Sequence, residues 1–231
     1  MQVIWTSKEG RKIGETIKGR SFKKDDESFT GGVVFGDAAT SLVHSSRADR
    51  LFEVEPVGDK TQIVLRTEPL EEREIRFLFW KNTIPVKEKN IYGRLWKATE
   101  VRVLRELDAV SFLSDLATHP DFWVRKAVAE NPNTAPEVLQ RLSSDQNGWV
   151  LLGVAINNNT DEQTRRKLCY CSDVLARAAA IRRAKLGFDI LKDMEAKETE
   201  ALPRLMIKRK IAGHRDTPIF SRVKFVLSGY F

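Results

Sequence analysis

The chain repeats itself, and that constrains its fold more than any other feature. A shift of 26 positions lays Leu116 on Leu142, Trp123-Val124 on Trp149-Val150 and Val128-Ala129 on Val154-Ala155. The same shift lays Asn131 on Asn157, Thr134 on Thr160 and Leu142 on Leu168. A third copy aligns with one residue deleted, Asp173 to Ala180 falling on Gly148 to Ala155. Self-similarity at such a period marks a stacked array of supersecondary units. Each unit reads as a helix, an Asn-rich turn and a second short helix. The first helix has a small-residue face (Ala127, Val128, Ala129) that lets neighbours approach closely. Asn131-Pro132-Asn133-Thr134 and Asn157-Asn158-Asn159-Thr160 are expected to end it and to cap the next helix. Neither helix can bury its apolar side alone, so stacking must do so. Val128 and Val154 are then expected to be buried at equivalent places. The array is expected over residues 113–186, as a short α-solenoid suited to binding.

Ahead of it the spacing changes. Val3-Ile4-Trp5, the segment Gly31 to Asp37, Leu51 to Val57, Gln62 to Arg66, Glu74 to Trp80 and Glu100 to Leu107 read as strands. Several of them alternate apolar and charged residues with the period of a half-buried strand. Ala38 to Asp49 lacks Gly and Pro and reads as a helix. Helical spacing begins at Asp108, a good N-cap, with Phe112, Leu113, Leu116 and Ala117 on one face. The expected fold class is α+β. A mainly β or α+β domain spans residues 1–107, helical repeats span 108–200, and a basic tail spans 201–231, with Arg222 to Leu227 as a possible strand. Glu71-Glu72-Arg73-Glu74 reads as a solvated turn.

The run from Leu116 to Leu139, with Phe122-Trp123-Val124-Arg125-Lys126-Ala127-Val128-Ala129-Glu130-Asn131-Pro132-Asn133-Thr134 at its centre, resembles the leucine-rich repeat variant, a relative in shape of HEAT-type repeats. The founding member of that family also carries a cysteine cluster holding iron and sulfur, which this sequence lacks. Arg50 to Asp59 and Ala98 to Leu107 resemble a module of phage and bacterial proteins that often precedes repeat segments. This resemblance implies a phage or mobile-element origin. Gly32 to Ser41 also resembles the glycine–strand–Phe-x-Asp segment of ADP-ribosyltransferases. It implies a core strand at Leu51 to Gly58 and a carboxylate, Glu100, on the ribose of NAD. The early His-Gly or Arg motif of those enzymes has no counterpart near Trp5. The resemblance therefore implies either an active enzyme with NAD as cofactor or a degenerate relative of one. Otherwise Glu100 is a surface carboxylate and no cofactor is expected.

No Walker loop, G-x-G-x-x-G, H-E-x-x-H or G-x-S-x-G occurs. Cys169 and Cys171 fall in what reads as a helix, where two positions turn the thiols to opposite sides. They are expected to be reduced. Two thiols are too few for a zinc or iron–sulfur site, and His44, His119 and His214 show no ligand spacing, so no metal is expected. No apolar run is long enough for a membrane helix and no signal peptide is visible, so a cytoplasmic place, the host cytoplasm for a phage protein, is expected.

The charge is more informative. The formal net charge is +7. Past residue 200, Arg204, Lys208, Arg209, Lys210, Arg215, Arg222 and Lys224 stand against Asp216 alone. Arg165, Arg166, Lys167, Arg182, Arg183 and Lys185 are expected to line the repeats in basic rows, with Lys208, Arg209, Lys210 and Arg215 adding to them. Such a surface suits a nucleic acid or a host protein with an acidic face. Trp123 and Trp149, at equivalent positions, read as packing between units, with base stacking as the alternative. The leading reading is a non-enzymatic binding protein; the alternative is the ADP-ribosyltransferase-like enzyme.

Overall fold

The structure is a computed structural model that describes residues 1–6, 12–19, 33–67 and 90–215. The candidate strands Glu74 to Trp80 and Arg222 to Leu227 and the cluster Glu71 to Glu74 lie outside the described residues. The chain divides into two units, Met1–Ala135 and Pro136–Phe231.

The first unit is built on an antiparallel sheet of β1 (Val3–Thr6), β2 (Thr16–Lys18), β3 (Val33–Phe35), β4 (Arg50–Thr67) and β5 (Asn90–Leu107). The strand order is β1-β4-β5-β2, with β3 also pairing β5. Val3 and Gly36 exchange backbone hydrogen bonds of 2.7 and 3.1 Å, which joins β1 to the end of β3 and curls the sheet back on itself. A Cβ on Gly36 would lie 2.5 Å from Leu95 Cδ2, so any larger residue there must displace the buried Leu95 side chain. The two segments Leu51 to Val57 and Gln62 to Arg66, expected as separate strands, are one strand. Gly58, at φ +79°, lies in a bulge between Val57 and Lys60 that absorbs one extra residue, and the pairing with β5 resumes. Alternation holds where a face is covered. Val101 and Val103 are buried and Leu104 is exposed. Phe35, Phe52, Val54, Ala98 and both valines form one core, with Ile17 and Val33.

The helix expected from Ala38 is α1 (Ala38–His44), capped by Asp37, whose Oδ1 accepts from Thr40 N at 2.9 Å. At the changeover, Asp108 caps α2 (Ala109–Leu116) by accepting from Val110 N and Ser111 N. Then comes α3 (Phe122–Glu130), which packs on α1 and α2. The first repeat thus begins inside the first unit, past the compositional change at Leu107. Asn131 explains how it is seated: its Nδ2 donates 2.7 Å to the carbonyl of Ala48, and Asn133 donates to that of Asp49.

The second unit is helical: α4 (Pro136–Leu142), α5 (Gly148–Ile156), α6 (Glu162–Leu168), α7 (Val174–Arg183), α8 (Phe188–Lys197) and α9 (Ala201–Gly213). The N-caps of α3, α5 and α7 are Asp121, Asn147 and Asp173, spaced 26 apart each time. The helices α4, α6 and α8 begin at 136, 162 and 188, again 26 apart. The third copy therefore carries no deletion, and Ala176, Ala179 and Ala180 take the buried places of Val150, Gly153 and Val154. Val128 and Val154 are both fully buried, as expected. Thr134 and Thr160 make the same bond, Oγ1 donating 2.5 Å to the carbonyls of Val128 and Val154.

Three further expectations change. The Asn turns do not cap the following helix: Asn131 and Asn157 end the helix before and accept, through Oδ1, from the backbone N–H two residues on. Asp161 caps α6. The stretch 201–213, assigned to a tail on its charge, is the helix α9. It buries Leu202, Met206, Ile207 and Ile211, a helical spacing, and packs on α7 and α8. The cysteines are not mid-helix: Cys169 ends α6 and Cys171 lies in the turn after it. Among the described residues no helix is long and apolar enough to cross a membrane.

Candidate functional site

Within the second unit the basic residues converge where α7 ends. Helix α6 carries Arg165, Arg166 and Lys167 in its last turn, and α7 carries Arg182 and Arg183 in its own. The organising group is Glu162, in the first turn of α6. One of its oxygens accepts from Arg166 Nε at 3.1 Å and from the backbone N–H of Lys185 at 2.6 Å. The other lies 3.8 Å from Arg165 Nη1. In the second repeat the third turn residue, Asn159, donates its N–H to Asn157. In the third repeat Arg183 replaces that asparagine and Glu162 takes over as acceptor for Lys185.

Arg183 is thereby released to reach the preceding turn, where its Nη1 donates 2.9 Å to Asn158 Oδ1. Two cations hold the turn after α7 by its carbonyls: Arg166 Nη2 donates 2.8 Å to Lys185 O, and Lys210 Nζ, from α9, donates 2.7 Å to Ala184 O. Cations are favoured there because the last carbonyls of a helix carry partial negative charge. Burial lowers the pKa of Lys210 from its ordinary value. Burial also lowers that of Arg183, and the charges of Arg182 and Arg165 lower it further.

The structure thus brings together Arg165, Arg166, Arg182, Arg183, Lys185 and Lys210. Lys167 turns elsewhere, its Nζ donating to Ser143 Oγ at 3.1 Å and Ser144 Oγ at 2.7 Å. Lys208 and Arg209 are half-buried along α9, and Arg215 is exposed just past it. Sequence reasoning missed Glu162, although its four-residue spacing to Arg166 on a helix is a legible ion-pair signal.

A second concave region lies beside the turn after α6. This open cleft of about 510 Å³ is lined by Cys169, Tyr170, Cys171, Arg177, Met194 and Glu198, among others. Its polar floor is saturated: Arg177 donates to the carbonyls of Cys171 and Ser172 and forks onto Glu198. Burial pushes the Cys169 thiol up to about 12; burial, then the nearby Asp173, pushes that of Cys171 up to about 11. Both cysteines are free, and neither is activated for nucleophilic chemistry. Among the described residues no group of His, Cys, Asp and Glu is arranged to hold a metal.

The residues singled out in the first unit have structural partners. Asp37 caps α1, and Ser41 is buried with its Oγ donating to Val3 O at 3.3 Å. Glu100 sits on β5 and pairs with Lys18 Nζ at 3.4 Å. Trp123 and Trp149 are half-buried, and Trp123 stacks at a tilt on Phe122, ring centres 4.8 Å apart.

No curated protein and no solved structure matches the chain. Residues 122–147 match the family model of the leucine rich repeat variant, and the match runs from the start of α3 to Asn147, the cap of α5, one full period of the repeat that the helix spacing displays.

Proposed function

We propose that the chain is a non-enzymatic binding protein whose helical repeats present a basic surface to a polyanionic partner, a nucleic acid or the acidic face of a host protein. The observation that carries this reading is the imbalance at the end of α7. Among the described residues, Glu162 is the carboxylate that contacts Arg165, Arg166 and the Lys185 backbone there, with Lys210, Arg182 and Arg183 adjoining. Two of these cations are committed to turn carbonyls and give the surface a fixed shape. The others leave a surplus of positive charge on rigid helix ends. Such a field attracts polyanions and speeds their association. The phage-like character of the N-terminal module would make the partner a host component.

The test is capture from host lysate on the immobilised full chain, with and without nuclease, repeated with an Arg182→Glu, Arg183→Glu variant. A partner retained by the wild type and lost by the variant supports the proposal, and nuclease sensitivity tells nucleic acid from protein. Equal retention by both chains would defeat it.

A further inference from the structure

We infer that the cleft beside the turn after α6 takes an aromatic side chain of a protein partner. This role goes beyond the basic surface proposed above and does not depend on it. The repeat itself displays what fills the equivalent place one period earlier. There the groove between the turn after α4 and helix α6 is latched by Lys167, whose Nζ donates to Ser143 Oγ at 3.1 Å and to Ser144 Oγ at 2.7 Å. A shift of 26 positions carries Ser143 to Cys169, Ser144 to Tyr170 and Lys167 to Asp193. All three members of the latch change together. The serine hydroxyls give way to a thiol and to a phenol ring that is 66% exposed. Asp193 is too short to span the groove and pairs along its own helix with Lys197 Nζ at 2.6 Å. The groove therefore stands open as the cleft of about 510 Å³.

The occupant follows from charge and from the walls. The charged residues described along the cleft cancel in pairs: Arg177 forks onto Glu198, and Lys197 holds Asp193. A charged side chain would have to break one of these pairs, whereas an uncharged one complements the neutral lining. The other walls include Tyr170, Met194 and the two cysteines. A ring suits them. Tyr170 offers an exposed face for stacking, and sulfur packs favourably against the edges of aromatic rings. The volume admits an indole together with the partner backbone on either side of it.

The chain has three methionines, Met1, Met194 and Met206, so isotope-labelled methionine methyls give the cleft its own signal by NMR. The full chain is titrated with a capped Gly-Trp-Gly peptide, and with the same peptide carrying Lys or Glu in place of Trp, to roughly millimolar concentration. The Met194 methyl is expected to shift saturably with the tryptophan peptide alone, while Met206, buried in α9, stays in place. Tyr170→Ala is expected to weaken binding about 2–10-fold, the worth of one ring-to-ring contact. The triple change Cys169→Ser, Tyr170→Ser, Asp193→Lys rebuilds the latch of the second repeat and is expected to abolish binding. Should that variant fail to fold, Tyr170→Ala decides alone, since the ring it removes is exposed. A lysine or glutamate peptide that moves Met194 as far as the tryptophan peptide overturns the inference. So does wild-type binding by Tyr170→Ala or by a folded triple variant, and so does the absence of a shift with any peptide. None of these outcomes bears on the basic surface, which stands or falls by its own lysate test.

Discussion

Arg177 and Glu198 form a two-pronged ion pair, Nε to Oε2 at 2.9 Å and Nη2 to Oε1 at 3.2 Å, with only 13% and 10% of the two side chains exposed. The pair ties the start of α7 to the turn before α9. Arg125 and Arg177 occupy matching repeat positions, and both donate to two carbonyls of the turn behind them. In the third repeat the guanidinium also forks onto a carboxylate.

This pair sets an acid limit on stability. Burial works against the Glu198 carboxylate, but the Arg177 guanidinium and the backbone N–H of Glu200 outweigh it and hold its pKa below the ordinary 4.5. The unfolded chain therefore takes up the proton first as pH falls. The stabilisation is complete above 4.5 and is lost as pH drops from there through the folded-state value. Glu198→Gln is expected to cost about 2–3 kcal/mol at neutral pH, between the values for exposed and fully buried pairs. It should also flatten the acid side of a plot of melting temperature against pH. A wild-type acid profile in the variant would contradict the assignment.

The two thiols make a second expectation. With pKa values near 12 and 11, Cys169 and Cys171 are almost wholly protonated at neutral pH. Alkylation by iodoacetamide should be slow in the native chain, fast after denaturation, and quicker at Cys171, the less buried of the two. Rapid native labelling of Cys169, followed by mass spectrometry, would show that the turn after α6 opens.

Glu100 decides the enzymatic alternative. Its partner Lys18 is 74% exposed, so Glu100→Gln should shift stability by less than about 1 kcal/mol. We expect no transfer of ADP-ribose from labelled NAD to host lysate by either chain. Label on any host protein, present with wild type and absent with Glu100→Gln, would reverse the leading functional class.

The repeat was legible because Trp123 and Trp149, Asn131 and Asn157, and Thr134 and Thr160 preserve side chains that do the same work twice. The third copy was misaligned because it loses all three markers, having Leu175, Arg183 and Leu186 there. Its run Ala178-Ala179-Ala180 fits the array in more than one register by eye, and only the caps at Asp121, Asn147 and Asp173 fix the spacing. α9 was hidden for a different reason. Its cations dominate the composition, while the apolar stripe Leu202, Met206, Ile207 and Ile211 that folds it is sparse. The basic residues stand out in the sequence, yet charge alone does not tell Arg166 and Lys210, which close the turn after α7, from Lys167, which turns to Ser143 and Ser144. Lys97 shows the same limit: it is fully buried on β5, a place that residue type argues against.

The seating of the first repeat on the sheet unit supplies the last prediction. Asn131 is fully buried, accepts the N–H of Asn133 at 2.9 Å through Oδ1, and donates 2.7 Å to Ala48 O through Nδ2. The segment at Ala48 and Asp49 thus gives the first Asn turn an acceptor wall, and α1 gives α3 a helix to pack on. Asn131→Asp keeps the size and the acceptor but replaces the donor with an oxygen facing the Ala48 carbonyl. It should cost about 2–3 kcal/mol, since a buried bond is exchanged for an unmet and repelling pair. Asn131→Ala should cost less than Asn131→Asp, because it removes the donor without adding the repulsion. Hydrogen exchange should report the damage in α3 and at Ala48 together. If Asn131→Asp melts with the wild type, the turn is not what holds the first repeat to the sheet unit.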